Sequence, residues 1–566
     1  MDGTVRFPLA SWYTSQQGTA IEQMINKWLS YLGHRDLETF FSHPLKGMPD
    51  PFGLLNMADA ARALLNVLQA GPGVLIVGDY DVDGVTSTAL LVRFFRQCGF
   101  EVDWLIPNRF NEGYGLTEAV VRRIVQRQPQ LVVTVDNGIT AKAEVSLLKA
   151  EGIEVIITDH HLPIPGKTPE TLVVNPKQAE CDFVEPDLSG VGVAFLLLVS
   201  IRKILREEGY WQGRAEPNLL EALDLVAIGS VADQVPLVGL NRLLTYHGLE
   251  QMKRRLVEPS SEGGAYTYLK VFQADQRFSY IDSETLGFRL GPLLNAAGRM
   301  DDASLAVHFL LETEPAKSKE LLALLQRCNQ QRKKKQATMY TRALAQVEES
   351  DPSGLVLVDD SFHEGLVGII ASKISEKFQC PTLIGAKSAD GVIKCSGRTQ
   401  TGDLTELLAT CKESLLGYGG HAKAAGCQFQ ASQLEVVRQT FRSAAQQQSK
   451  VLEPSLSADF EITTEMLTGE WSFQLKRLEP FGLGNQKPIF WISQLYLGEP
   501  RPIGEHHLKW AVAPGLDFIR WDGASEQLSP GWYGVAFSLG ENHFRGKVSL
   551  QAIIQNYQPA SAPEGL

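Results

Sequence analysis

The sequence is short of the features that mark several large protein classes. Its seven cysteines (Cys98, Cys181, Cys328, Cys380, Cys395, Cys411 and Cys427) contain no C-x-x-C pair, and their number is odd. That excludes a disulfide framework or a zinc ribbon of the usual spacing and fits reduced thiols in the cytoplasm. No apolar run is long enough to cross a bilayer. The strongest, Leu188 to Ile201, stops after 14 residues between Asp187 and Arg202, and suits a buried helix better than a membrane span of about 20 residues. No apolar stretch follows the basic residue in the opening segment MDGTVRFPLASWYTSQQG, so a secretory signal is not expected. Glycine (50) and proline (28) stand at ordinary levels among 566 residues, which rules out collagen-like and low-complexity chains. Positive charge is in deficit, with 53 basic against 65 acidic residues and a net charge of −12. This argues against a nucleic-acid coat protein. It leaves room for a nuclease whose basic surface is confined to one groove.

A chain of this length has enough residues for three or four domains at roughly 150 residues each. Residues 1–70 read as a helical segment (IEQMINKWLSYL, then MADAARALLNVLQA). From there to residue 312 the pattern is short Val- and Ile-rich runs at Val74–Val77, Val102–Ile106, Leu131–Val135, Val155–Ile157 and Leu172–Val174, with amphipathic stretches between them. Such spacing predicts a parallel sheet with crossover helices, an α/β domain over 71–312. Residues 313–352 read as one connecting helix. Its stretch from Gln326 to Arg342 carries six basic residues and no acid, which is either a solvated face or one wall of a phosphate-backbone groove. A second, smaller α/β unit is expected over 353–450 and a small β-barrel over 455–560. Five of the nine tryptophans (Trp471, Trp491, Trp510, Trp521 and Trp532) fall in the last of these. They serve a barrel core or a stacking surface for single-stranded bases. The closing PASAPEGL reads as a flexible tail.

The chemistry gathers at element ends. Gly78-Asp79-Tyr80-Asp81-Val82-Asp83-Gly84 follows the first apolar run. In an extended segment its three acids would share one face and repel one another unless a cation sat among them. Thr86, Ser87 and Thr88 would then lie at a helix start suited to an anion. Thr134-Val135-Asp136-Asn137-Gly138, Thr158-Asp159-His160-His161 and Gly229-Ser230-Val231-Ala232-Asp233 follow two further strands and a helical run. Singly, an acid after a strand is most often a helix cap, and paired histidines are most often surface or hydrogen-bonded core. Together they place hard oxygen donors and imidazole where open α/β sheets bind ligands, and this donor set favours Mn²⁺ or Mg²⁺ over structural zinc.

G-D-Y-D-V-D-G, V-D-N-G-I, T-D-H-H and V-A-D in this order resemble the DHH phosphoesterase superfamily. Leu294-Asn295-Ala296-Ala297-Gly298-Arg299, the Gly419-Gly420-His421 motif of a DHHA1 domain and an OB-type terminal barrel are similar to its RecJ branch. The likeness runs over nearly the whole chain. It implies a parallel-sheet DHH domain, a DHHA1 domain beyond a long helix, and a C-terminal OB barrel. It implies a single-stranded-DNA-specific 5′→3′ exonuclease of DNA repair and recombination, working with two divalent cations.

Carried over by residue, Asp79, Asp81, Asp83, Asp136, His160 and Asp233 would hold the metals, with Asp136 bridging. Asp159 would orient a neighbouring histidine, and His161 would contact the scissile phosphate or its leaving group. Asn295 and Arg299 would hold phosphate oxygens. Arg109, Ser396 and Arg398 would form a 5′-phosphate pocket, with His421 across the cleft. Small-substrate members of the superfamily carry a histidine four residues before the second acid of the first motif. Here that residue is Val77, as in RecJ-type sequences. The family context adds single-stranded DNA, a helicase and a single-strand-binding protein as partners, and a cytoplasmic monomer with no membrane role. Two other readings compete: a phosphatase or nuclease for short oligonucleotides, and a non-catalytic DNA-binding scaffold. The first is disfavoured by Val77, the long helix and the aromatic barrel. The second is disfavoured by a full set of acids.

Overall fold

A computed structural model of the chain describes residues 20–257, 263–274, 280–348, 353–388, 390–448, 457–504, 506–526, 528–544 and 547–563. The apolar runs read from the sequence become strands β1 (Val74–Val77), β2 (Asp103–Leu105), β3 (Leu131–Val135), β4 (Glu154–Thr158) and β5 (Leu172–Val174). They form one parallel sheet in the order β2-β1-β3-β4-β5. Such a sheet needs cover on both faces. Val74, Ile76, Val133 and Val135 point into the large helical core, and Leu75, Val77, Val132 and Ile157 into a smaller one on the reverse side. β1 and β3 are neighbours whose crossovers leave in opposite directions, the switch point where sheets of this kind leave a crevice at their carboxyl ends. The buried run after Leu188 forms helix Gly190–Glu207.

Helix Pro315–Glu348 joins the first unit to the second. Leu322 and Leu325 pack into the first unit's core, while Met339, Ala343 and Val347 pack into the second's. The helix is therefore a shared beam, covered at both ends by different domains. The second unit holds β6 (Leu355–Asp359), β7 (Thr382–Lys387), β8 (Val392–Arg398), β9 (Gly417–His421) and β10 (Ala424–Gln430). Their order is β6-β7-β8-β10-β9, with only β6 and β7 parallel.

The third sheet runs β11 (Phe460–Glu461), β12 (Ile489–Leu497), β16 (Gly531–Phe544), β17 (Lys547–Pro559), β15 (Leu516–Arg520), β14 (His507–Ala513), β13 (Arg501–Ile503). It is curled. The indole of Trp510 on β14 donates to the carbonyl of Gly498, just past β12, at 3.0 Å. Trp471, Trp491 and Trp510 are buried, so stacking on bases is open only to the exposed Trp521 and the half-buried Trp532.

Of the expected N-terminal helical segment 1–70, residues 1–19 lie outside the described residues, and the helices of the remainder divide between two cores. Helix Ala20–Tyr31 supplies Ile21, Ile25, Trp28 and Leu29 to the barrel core beside Phe460 and Trp471. Helix Met57–Ala70 belongs to the core of the first sheet instead. Trp28 donates to Asp459 at 3.0 Å across 431 positions. Amphipathic periodicity shows that a helix has an apolar face and says nothing of which core that face will meet. Arg242 fastens the same junction. Its buried guanidinium lies 3.8 Å over the Phe40 ring and donates to the carbonyls of Phe40 (2.9 Å) and Glu479 (3.2 Å).

One buried ion pair braces the first unit from behind. Asp224 accepts from Arg93 at 2.7 Å and from the Tyr266 hydroxyl at 2.9 Å, with Arg255 3.7 Å away. Burial alone would raise this carboxyl, but Arg93, Arg255 and Tyr266 outweigh it and hold it below the usual range. Asp224→Ala strands two arginines, so a loss of about 3–5 kcal/mol is expected in urea unfolding. Because the folded carboxyl is depressed, its stabilisation is complete above about pH 4 and vanishes as pH falls through the folded value. The difference between wild type and Asp224→Ala should therefore shrink in acid and not in base.

Candidate metal centre

The turn after β1 does not stay extended. Helix Val82–Cys98 begins inside the motif, and the Asp81 carboxylate caps it by accepting from the amides of Asp83 (2.9 Å) and Gly84 (3.1 Å). The acids are thus not on one extended face. Asp79 and Asp81 meet Asp136, whereas Asp83, turned away by the helix, meets His160 and Asp233. The helix start also gives no anion site at Thr86, Ser87 and Thr88. All three are buried, and the hydroxyls of Thr86 and Thr88 bond the carbonyls of Val82 and Gly84 at 2.8 Å each.

Asp136 follows β3 with a left-handed φ of +62°, a conformation that Asp and Asn tolerate better than most residues. Its amide donates to the Thr158 carbonyl at 3.0 Å. The next residue, Asn137, ties the turn to Val77 (3.2 Å) and Val135 (2.9 Å). Gly190, at the start of its helix, passes so close that a Cβ there would lie 2.7 Å from the Asp136 side chain. The same helix start holds Asp83, whose two oxygens accept from the amides of Gly190 (2.7 Å) and Val191 (2.9 Å). Asp233 ends helix Leu223–Ala232.

His160 lies between these groups. Its Nδ1 is 2.9 Å from the Leu188 carbonyl. A carbonyl only accepts, so Nδ1 carries the proton and Nε2 of the neutral ring presents a lone pair. That lone pair faces Asp136 Oδ1 at 3.1 Å, Asp233 Oδ2 at 3.6 Å and Asp83 Oδ2 at 3.9 Å. Burial, then the neighbouring His161, pulls the ring down to about 4. Burial and the adjoining acids push Asp79, Asp83 and Asp136 well above the usual carboxylate range. Burial, then Asp81, takes Asp233 up to about 7. Asp79 Oδ1, both oxygens of Asp136 and His160 Nε2 are buried without hydrogen-bond partners. Lone pairs aimed at lone pairs in a buried site fit a cation, and the oxygen-rich set fits a hard one.

Asp159 behaves differently. Its carboxylate accepts from the amides of Ile139 (2.9 Å), His160 (2.7 Å) and His161 (3.1 Å), and from His161 Nδ1 at 2.8 Å. Burial would raise it, but His161 and these donors hold it below the usual range. In turn the bond to Asp159 overcomes burial and lifts His161 to about 9.

Beyond the acids lies a basic rim. Arg299, on helix Gly291–Met300 with the half-buried Asn295 one turn earlier, donates to the Gly365 carbonyl of the second unit at 3.0 Å. Burial, then the charges of Arg109 and Arg332, lowers Arg299 to about 10. Arg398 donates to Ser396 at 3.1 Å and is lowered by burial and by Arg109. The two halves of the expected phosphate pocket therefore face each other across the domain boundary. A cleft of about 510 Å³ separates them, lined by Tyr80, Arg109, Tyr114, Lys394, Ser396 and Tyr418 among others. His421 is exposed on edge strand β9, outside the acidic groups. Three contributors escaped the sequence reading. Lys177, after β5, acts electrostatically on His160 and Asp233. Arg332 turns inward from a basic stretch whose Lys333, Lys334 and Lys335 are exposed. Tyr114 touches His161. Only the glycines on either side of Tyr114 hinted at it.

Comparison with known proteins agrees with this architecture. The model of the DHH family, N-terminal domain, matches residues 73–230, that of the DHHA1 domain residues 351–447, and that of the RecJ OB domain residues 458–556. A single-stranded-DNA-specific exonuclease RecJ from Dickeya dadantii is 37% identical over 543 residues, covering 91% of this chain and 92% of its own. A crystal structure of RecJ from Thermus thermophilus in complex with Mn²⁺ superposes with a TM-score of 0.78 at 29% identity, covering 95% of this chain and 76% of that one. The complex of the same protein with Mg²⁺ gives a TM-score of 0.73 at 28% identity, covering 95% and 75%. With three domain types in the same order and more than a third of residues shared across nine-tenths of its length, the chain belongs to the RecJ family of single-stranded-DNA-specific exonucleases.

Proposed function

We propose that this protein hydrolyses single-stranded DNA from the 5′ end, one nucleotide at a time, at a site that holds two divalent cations, Mn²⁺ or Mg²⁺. The observation that carries the reading is the bare, buried set of oxygen and nitrogen lone pairs around Asp136, beside a cleft lined by Arg109 and Lys394, with Arg299 and Arg398 near enough to feel Arg109. Asp79, Asp81 and Asp136 would hold one cation, and Asp83, His160, Asp233 and Asp136 the other. Asp136 groups with Asp79 and Asp81 on one side and with His160, 3.1 Å away, on the other, which supports a bridging role. Bound there, the cations supply an activated water and positive charge at the phosphorus and leaving oxygen.

The chain's own residues do the rest. The Leu188 carbonyl fixes the His160 tautomer so that its lone pair points at the carboxylates. Asp159 immobilises His161 with its Nε2 outward, placed to donate to the scissile phosphate or its leaving oxygen. Arg299 and Asn295 sit one helical turn apart on one helix and would hold backbone phosphates. Arg109 from one domain and Ser396 and Arg398 from the other would grip a terminal 5′ phosphate. A cleft of about 510 Å³ has the size of a small-ligand pocket, and would take a strand end in preference to a duplex. The exposed Tyr418 offers a ring face that stacks on any base, which gives strand selectivity without sequence readout. Family kinship supports a cytoplasmic monomer that receives its strand from a helicase or a single-strand-binding protein. Among the described residues no helix is long and apolar enough to cross a membrane.

The direct test is a single-stranded oligonucleotide labelled at its 3′ end. A Mn²⁺-dependent ladder of shortening labelled fragments, suppressed by a blunt complementary strand, is the expected result. Release of mononucleotides from very short oligomers alone would transfer the protein to the small-substrate branch.

Asp136→Asn keeps the side-chain shape and suits the left-handed turn while removing the shared charge. Cleavage should cease. In a thermal melt the wild type should gain stability from Mn²⁺, about 2.7 kcal/mol at a hundred times Kd. The variant should lose that gain and melt no lower than the metal-free wild type.

Arg398→Ala or Arg109→Ala should raise KM about tenfold or more on 5′-phosphorylated strands, the weight of a charged hydrogen bond. On 5′-hydroxyl strands the effect should be small, and an equal loss on both would remove the pocket assignment.

A further inference from the structure

Tyr114 has no role in the chemistry above, yet it occupies the position that chemistry needs. Its hydroxyl lies 3.2 Å from His161 Nε2. The other ring nitrogen of His161 is taken by Asp159 at 2.8 Å, and the His161 carbonyl accepts from Asn175 at 2.9 Å. The histidine is therefore fixed from behind, and the one nitrogen left for a phosphate is covered by a tyrosine. Gly113 (φ +86°) and Gly115 (φ +67°) flank Tyr114, so both joints of the loop lie in backbone conformations open to glycine and poor for other residues. Tyr114 is 51% exposed as a residue, lines the cleft, and touches Tyr80 only edge-on, with centroids 6.0 Å apart. Tyr80 itself is held beneath the Arg109 guanidinium at 4.8 Å.

An imidazole nitrogen lies in the ring plane and serves one partner well. A tyrosine oxygen and a phosphate oxygen cannot both have it. We propose that Tyr114 is a latch. Its hydroxyl occupies His161 Nε2 in the free enzyme, and a phosphate of the entering strand displaces it, the two glycines letting the ring swing clear. The latch keeps the reactive nitrogen paired and oriented between turnovers. It also makes each binding event break one hydrogen bond, so Tyr114 is a positioning residue whose hydroxyl opposes substrate.

This inference rests on the exonuclease reading, and the test separates the two. Tyr114→Phe keeps the ring and removes the competitor. With Mn²⁺, KM for single-stranded DNA should fall about three- to tenfold, the span of one neutral hydrogen bond, while kcat stays within about twofold because the latch is already open in the bound state. A second readout does not depend on turnover. In wild-type protein carrying 3-fluorotyrosine, the ¹⁹F resonance that is missing from Tyr114→Phe should shift when a 5′-phosphorylated oligonucleotide is added. An unmoved resonance with an unchanged or raised KM would overturn the latch. So would a tenfold loss of kcat in Tyr114→Phe, which would put the hydroxyl in the transition state. A shifting resonance in a wild type that cuts no single strand would instead overturn the exonuclease reading and leave the displacement standing.

Discussion

Carboxylates repel one another, and in this protein Asp79, Asp83 and Asp136 do so while buried. Much of the first domain can be understood as the scaffold that holds them together against that repulsion. Asp83 is clamped by two amides of a helix start, Asp81 is turned into a cap, and Asp136 is fixed in a left-handed turn between Thr158 and Gly190. Each device uses backbone donors or close packing, so it leaves lone pairs directed inward. Such a cluster destabilises the metal-free fold and becomes favourable only with positive charge inside it. The large apolar cores on both faces of the parallel sheet supply the stability that the cluster lacks.

Around this negative centre lies an opposite field. Arg109, Arg299, Arg332 and Arg398 come from both domains and from the long helix, near enough for Arg109 to lower two of the others. Like charges converge in this way where a polyanion is to be held. A chain with a net charge of −12 thus keeps a basic pocket beside an acidic one. The Arg299 bond to Gly365 is a direct tie between the two domains at that boundary.

Strands β1, β3 and β5 coincide with apolar runs visible in the sequence, because β-branched residues buried on two faces leave an unbroken signature. Asp79, Asp136 and Asp159 were equally visible, since each lies within two residues of a strand's end. The partition among them was not. It depends on helix Val82–Cys98 starting inside the first motif and rotating Asp83 away from Asp79 and Asp81. Nor could the sequence show Arg332 parting from the exposed lysines after it, which requires knowing what the long helix packs against. Tyr114 and Lys177 sit in connecting segments, where neither periodicity nor motif says which way a side chain will point.

The barrel core contains Trp28 from helix Ala20–Tyr31 together with Phe460, Phe518 and Phe537. During synthesis that helix leaves the ribosome long before its partners do. The parallel-sheet domain can close on its own residues, as each strand follows its crossover in order. The barrel cannot, because part of its interior waits at the far end of the polypeptide. A ribosome that stalls or terminates early on the last strands would therefore release a chain with a folded nuclease domain and an exposed apolar helix. Chaperones and proteases recognise such a surface, so incomplete copies would be removed while complete ones seal themselves.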